Sequence, residues 1–255
     1  MQDRSLAWGV SPEGFARIID KSGNRLLVRQ DQIEQIDFSF CQEDHPRAGE
    51  QCAYQGRGTI RLRRLANGQT AVIRVYLHGG VLRRITGQSF FTWPPRPFRE
   101  LAITEELRRR GLRTVEVYAA CVSRPRGLFY RGWLITRQLE HAEDLWSALK
   151  SGLTERVGFE QTLRAAAESV AEMHREGVYH ADLNLKNILV QPDGTGLAGY
   201  VIDFDKAKVF LGRLPAPLAA RNLKRLERSV RKLDPARRLF SVSAWDKFLS
   251  FYHGA

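Results

Sequence analysis

Long apolar runs are missing from this chain. Nowhere in its 255 residues do about 18 consecutive apolar side chains occur, so no segment reads as a membrane-spanning helix. Cysteine is scarce: Cys41, Cys52 and Cys121 are odd in number, widely spaced and form no C-x-x-C pair. That argues against a disulfide framework and a thiolate zinc site, and fits a reducing compartment. Acidic residues are also short, 28 Asp+Glu against 40 Lys+Arg, a net charge of +12 that favours polyanionic partners: nucleic acid, anionic lipid headgroups or phosphorylated substrates. The opening "MQDRSLAWGVSPEGF" carries an early acidic residue and no apolar core of the length a signal peptide needs. No internal repeat or low-complexity tract is present.

What is there suits an ordinary soluble globular protein, with 43% hydrophobic and 27% charged residues. The length allows one domain of two lobes, or two small domains, burying roughly 70–75% of the unfolded surface. The first half alternates short apolar runs with turn signals, as in "NRLLVRQ", "GTIRLRRLANGQTAVIRVY" and "YRGWLITRQL", the second with an Asn-Gly turn between two alternating segments. Between them, "RPFRELAITEELRRRGL" spaces Phe98, Leu101, Ile103 and Leu107 for one helical face and stops at Gly111. These features predict a β-hairpin-rich lobe with one packed helix.

The second half predicts helices. "FEQTLRAAAESVAEMHREG" puts Leu163, Ala167, Val170 and His174 on one stripe and ends at Gly177. It leads into "VYHADLNLKNILV" and, after a short apolar run, "GYVIDFD". The chain then becomes helical and very basic in "LAARNLKRLERSVRKLDPARRLF", where Leu223, Leu226 and Val230 are placed to face a core.

The chemistry concentrates in the turn after the long helix. His180 and Asp182 in the turn, Asn187 leading a strand and Asp203 ending the next bring three oxygen-bearing side chains to one edge of a hairpin. Asn187 and Asp203 can hold a hard cation, since their oxygens, waters and phosphate oxygens complete the octahedron that Mg²⁺ demands. Asp182 is left as a base.

"HADLNLKN" and "DFD" resemble the catalytic loop H-R-D-L-x-x-x-N and the metal-binding D-F-G of the protein-kinase superfamily, with the same five-residue interval from Asp182 to Asn187. The resemblance implies an α+β, protein-kinase-like bilobal fold: an antiparallel β-rich N-lobe with one helix, residues 1–137, and a reduced, mainly α-helical C-lobe, residues 138–255. It implies ATP and Mg²⁺ as cofactors. Upstream, Gly56 and Gly58 in "GRG" are either a glycine loop whose backbone N–H groups approach phosphates or a plain hairpin turn. Arg74 in "AVIRVY" stands where the family usually has Lys, and keeps the charge with a different fork geometry. Glu100 is its expected partner, with Glu105 and Glu106 as competitors. Gln138 to Glu140 would form the interlobe hinge that meets adenine. Asp144 is either a ribose contact or a helix N-cap. His180 would orient the loop by hydrogen bonding.

No A-P-E motif follows, and only 52 residues lie beyond Asp203, too few for a peptide-docking lobe of the usual size. Together "VIRVYLHGGVLRRITGQSFFTW", "FRELAITEELRRRGL", "RGLFYRGWLITRQL", "GVYHADLNLKNILV", "VIDFDKAKV" and "NLKRLERSVRK" resemble the lipopolysaccharide core kinases, most closely the 3-deoxy-D-manno-octulosonic acid (Kdo) kinases. The resemblance covers about Arg57 to Lys232, and the first forty residues add little to it. It implies ATP-dependent phosphorylation of a Kdo hydroxyl, with the 4-OH as the expected position, on a Kdo-lipid A precursor. The work would be done by a peripheral protein at the cytoplasmic face of the bacterial inner membrane. Asp182 becomes the catalytic aspartate; Asn187 and Asp203 become the metal ligands.

The expected partners are the Kdo-lipid A glycolipid and an anionic membrane surface. No nucleic acid is expected and no obligate protein partner is inferable. Eight Lys or Arg between Arg221 and Arg238 face Glu227 and Asp234 alone, either as a membrane- or substrate-contacting surface or as a solvated helix face. Phe90, Phe91 and Trp93 sit beside prolines, either in a packed surface loop or as an interfacial anchor. Two competing readings are a small-molecule phosphotransferase of the aminoglycoside or choline type, whose cationic substrates would want an acidic cleft, and a non-catalytic lipid- or nucleic-acid-binding module on a kinase-like scaffold.

Overall fold

The structure, a computed structural model of the chain, describes residues 12–41, 51–55, 58–76, 95–126, 129–151, 154, 158–194 and 196–255. The chain divides into two compact units. A sheet unit takes Glu116–Gln138 and the stretch that ends at Glu106; a helical unit takes Leu107–Val115 and Leu139–Ala255.

Alternating apolar residues become strands in the sheet unit. These are β1 (Phe15–Ile19), β2 (Arg25–Arg29), β3 (Gln51–Gln55), β4 (Gly58–Arg64), β5 (Thr70–Val75), β6 (Val117–Arg126) and β7 (Phe129–Arg137). They form one antiparallel seven-stranded sheet in the order β1-β2-β6-β7-β5-β4-β3. The expected Asn-Gly turn joins β4 to β5: Asn67 Oδ1 accepts the Gln69 N–H at 3.0 Å, and the Gly68 N–H reaches the Leu65 carbonyl at 3.0 Å.

Because side chains alternate across a strand, β5 serves two cores. Ala71 and Ile73 pack with Leu26, Phe40, Trp133 and Ile135 on one face. Tyr76, just past the strand, joins Leu27, Phe98 and Leu101 on the other. Phe98 and Leu101 come from α1 (Arg96–Arg109), whose expected stripe Phe98, Leu101, Ile103 and Leu107 is buried throughout. The helix stops as read: Gly111 takes φ +93°, and the Leu112 N–H returns to the Leu107 carbonyl at 3.0 Å. One expectation is corrected. The sulfurs of Cys41 and Cys121 are bonded inside the first core, with Cα atoms 6.2 Å apart, a separation a disulfide accommodates. Sequence spacing cannot see that pairing across 80 residues.

In the helical unit the elements are β8 (Glu143–Asp144), α2 (Leu145–Lys150), α3 (Phe159–Arg175), β9 (Val178–Tyr179), β10 (Ile188–Asp193), β11 (Gly196–Val201), β12 (Lys208–Val209), α4 (Ala216–Leu233) and α5 (Val242–Gly254). The strands form two small antiparallel sheets, β11-β10-β8 and β12-β9. The stripe read for α3 is fully buried, His174 included, and the helix packs on β11 and α5.

Candidate active site

The loop carrying Asp182 begins where α3 ends. Gly177 takes φ +75°, and a Cβ there would lie 2.2 Å from the Gly212 carbonyl oxygen and 2.5 Å from that of Phe210. Only glycine lets the chain reverse this close to another backbone. Two residues of β9 follow, and then His180, 1% exposed.

His180 makes two bonds that define its tautomer. Nε2 faces the Ile202 carbonyl at 2.9 Å, an acceptor only, while Nδ1 accepts the Asp182 N–H at 3.1 Å. The ring is therefore neutral, with its proton on Nε2. Burial pushes its pKa below the ordinary imidazole value; the bond to Ile202 and the charges of Asp203 and Asp182 act in the opposite direction. The imidazole ties the backbone at Asp182 to the backbone next to Asp203, as the loop-orienting role expected of it requires.

Asn187 closes the turn Leu185–Asn187. Its Nδ2 donates to the Asp182 carbonyl at 2.9 Å, and its own carbonyl accepts the Ile202 N–H at 3.0 Å. With the amide nitrogen committed to this bond, Oδ1 is the end left to accept or to ligate. Asp203 sits at φ +71°, a backbone region that non-glycine residues enter rarely, Asp and Asn most often. Asp182, Asn187 and Asp203 are therefore gathered around one stretch of backbone, and the Asp182 side chain is 70% exposed. The donor set of an amide oxygen and a carboxylate is all oxygen, which fits Mg²⁺. Among the described residues no group of three or more His, Cys, Asp or Glu is placed to hold a metal ion.

Sequence reasoning missed what holds this loop. Asn222, from α4, is fully buried and grips both backbone groups of His180: its Oδ1 accepts the N–H at 3.0 Å and its Nδ2 donates to the carbonyl at 2.7 Å. The same Oδ1 lies 3.2 Å from His174 Nε2, and His174 Nδ1 lies 2.8 Å from the Tyr252 hydroxyl of α5. Burial lowers the His174 pKa to about 4, against the bond to Asn222. Ser229, two turns along α4, accepts the Leu185 N–H at 3.2 Å. The basic stretch thus buries Asn222, Leu226 and Val230, while Leu223, expected in the core, is half-buried. Of its cations, Arg231 and Arg237 pair with Glu227 at 2.6 and 3.5 Å.

In the sheet unit Arg74 pairs with Glu100, as expected. Glu100 is 2% exposed and also accepts the Tyr76 hydroxyl, a partner the sequence reading did not name although it stands two residues along from Arg74. Glu105 belongs elsewhere: it binds Arg29 at 2.5 Å and accepts the Val117 N–H at 2.9 Å.

Of the remaining candidates, Gly58 opens β4 opposite Gln55, whereas Gly56, with Phe90, Phe91 and Trp93, lies outside the described residues. Asp144 is the N-cap of α2, its two oxygens taken by the Ser147 N–H at 3.0 Å and hydroxyl at 2.7 Å. Gln138 ends the sheet unit, its N–H on the Thr70 carbonyl at 2.9 Å. The Glu140 carbonyl accepts from Gln191 Nε2 at 2.8 Å.

The chain is similar to a known family and to several known proteins. The model of the lipopolysaccharide kinase (Kdo/WaaP) family matches residues 51–252. A 3-deoxy-D-manno-octulosonic acid kinase of Pasteurella multocida (strain Pm70) is 32% identical over 206 residues, 78% of this chain and 82% of that protein. One of Xanthomonas axonopodis pv. citri (strain 306) is 36% identical over 168 residues, 64% of this chain and 62% of that protein. Among solved structures, WaaP in complex with acyl carrier protein is similar with a TM-score of 0.51 and 18% identity, covering 80% of this chain and 78% of that chain. The α+β, protein-kinase-like fold expected from the loop motif is the fold found.

Proposed function

Because the chain belongs to the lipopolysaccharide kinase (Kdo/WaaP) family, we propose that it transfers the γ-phosphoryl group of ATP to a Kdo hydroxyl, assigned to the 4-OH, on a Kdo-lipid A precursor. The observation that carries the reading is the His180 bridge, which holds the backbone of Asp182 against the strand end that bears Asp203. In this reading the acceptor hydroxyl gives its proton to Asp182 as its oxygen bonds to the γ-phosphorus, and ADP leaves with the electrons of the broken P–O bond. Asn187 and Asp203 would hold Mg²⁺, which supplies charge neutralisation on the nucleotide phosphates. Arg74, steadied by the buried Glu100, would grip those phosphates.

Work at the cytoplasmic face of an inner membrane is part of the proposal. The supporting features are the net charge of +12 and the exposed cations Arg221, Lys224, Arg228 and Lys232 of α4.

The test is label transfer from γ-labelled ATP with magnesium to a Kdo-lipid A precursor, compared with aminoglycoside and choline acceptors, and with the product position read by NMR. Phosphate on the Kdo 4-OH is expected, together with a loss of at least about 100-fold in Asp182→Ala, since a positioned base contributes ~10²–10⁴-fold. Label on an aminoglycoside or choline instead, or wild-type turnover in Asp182→Ala, would reject the reading.

A further inference from the structure

α4 meets the catalytic loop through three side chains at intervals of three and four, which places them on one helical face: Asn222, Arg225 and Ser229. Asn222 and Ser229 bind loop backbone, at His180 and Leu185. Arg225 stands between them and does something different. Its Nη1 lies 3.9 Å from Asp182 Oδ1, beyond hydrogen-bonding distance. Its Nε is buried and has no hydrogen-bond partner among the described residues.

An ion pair this long and this open to solvent, with Arg225 35% and Asp182 70% exposed, contributes little to stability. Yet the geometry places the terminal nitrogens of a guanidinium beside the carboxylate that would receive the acceptor's proton. The fork is partly buried, with its Nε enclosed and the side chain 35% exposed. A planar guanidinium matches a carboxylate in two parallel hydrogen bonds. Its neighbours Lys224 and Arg228 are exposed and form no ion pair with the loop among the described residues.

We infer that Arg225 binds the carboxylate of the acceptor sugar and so turns the sugar's hydroxyl toward Asp182, which makes an acidic sugar the required acceptor. The inference rests on the acceptor class proposed above. Arg225 is a specificity residue: it selects the anion, while Asp182 handles the proton.

The experiment compares wild type, Arg225→Gln and Arg225→Lys on three acceptors: the Kdo-lipid A precursor, the same glycolipid with the Kdo carboxyl methylated, and the same glycolipid with its lipid phosphates removed. Wild-type kcat/KM falls about 10- to 100-fold on the ester, the worth of a charged hydrogen-bonding partner. Arg225→Gln is slow on acid and ester alike, within about threefold of each other, and Arg225→Lys restores part of the preference for the acid. KM for ATP and the melting temperature stay as in wild type. A wild-type acid-to-ester ratio in Arg225→Gln overturns the inference, as does a loss that follows the lipid phosphates or the KM for ATP. A wild type that phosphorylates no Kdo glycolipid overturns the acceptor assignment first, and this contact with it.

Discussion

Two imidazoles illustrate how single residues are set by what surrounds them. His180 and His174 are both buried and neutral, each accepting at Nδ1 and facing an acceptor at Nε2. The folded protein holds His174 near pKa 4 because burial penalises the cation, whereas an unfolded chain has it near 6.5. Above about pH 6.5 neither state is protonated there, and between 6.5 and 4 only the unfolded state takes the proton. Stability therefore falls on acidification through that window, by up to about 3 kcal/mol from this residue. Urea unfolding measured from pH 7 to pH 4 should show the loss, and His174→Gln should make it shallower, with the buried His180 contributing the remainder in the same direction; a wild-type profile level across the window would contradict the assignment. At this scale the sequence was informative wherever partners are close in the chain. His180, Asp182 and Asn187 fall within eight positions, and Arg74 and Glu100 are read from the resemblance to the kinase pattern. Tyr252 and Asn222 were invisible because their bonds to the loop helix and the loop itself span 78 and 42 residues, with no local spacing to mark them.

Among the elements, α4 departs most from its sequence pattern. Apolar periodicity assigned Leu223, Leu226 and Val230 to the core, yet a periodicity argument weighs only apolar side chains. It cannot place a buried Asn whose amide is matched to a peptide group across the fold. Strands β2, β4, β5 and β7, with α1 and α3, were legible because one face of each is apolar and the turn residues that end them are local. Asn222→Ala leaves the His180 N–H, the His180 carbonyl and His174 Nε2 short of a partner at once. The expected result is a destabilisation of roughly 2–4 kcal/mol, since each buried group left unsatisfied costs about 1–3 kcal/mol and some regain water. A fall in kcat should accompany it, with the KM for ATP little changed. Denaturant unfolding and steady-state kinetics together check this; an Asn222→Ala protein with unaltered stability and kcat would show that the clamp positions nothing.

For the whole molecule the prediction concerns charge. With a net +12, the protein should sediment with vesicles containing anionic lipid and leave them as salt rises to about 1 M, where fields are screened within ~3 Å. Replacing Arg221, Lys224, Arg228 and Lys232 by alanine should weaken binding by roughly 1 kcal/mol per cation that faces the surface. Equal binding to neutral and anionic vesicles would dismiss charge as the cause. Helix α1 has a consequence for control of the enzyme. Glu100 and Glu105 rivet it to Arg74 of β5 and Arg29 of β2, at points about 7.5 Å apart along its axis. Swinging the helix outward would sever both largely buried pairs together, each at several kcal/mol. A lever pinned twice makes a poor throttle, so the sheet unit stands ready-assembled rather than waiting on a rocking helix.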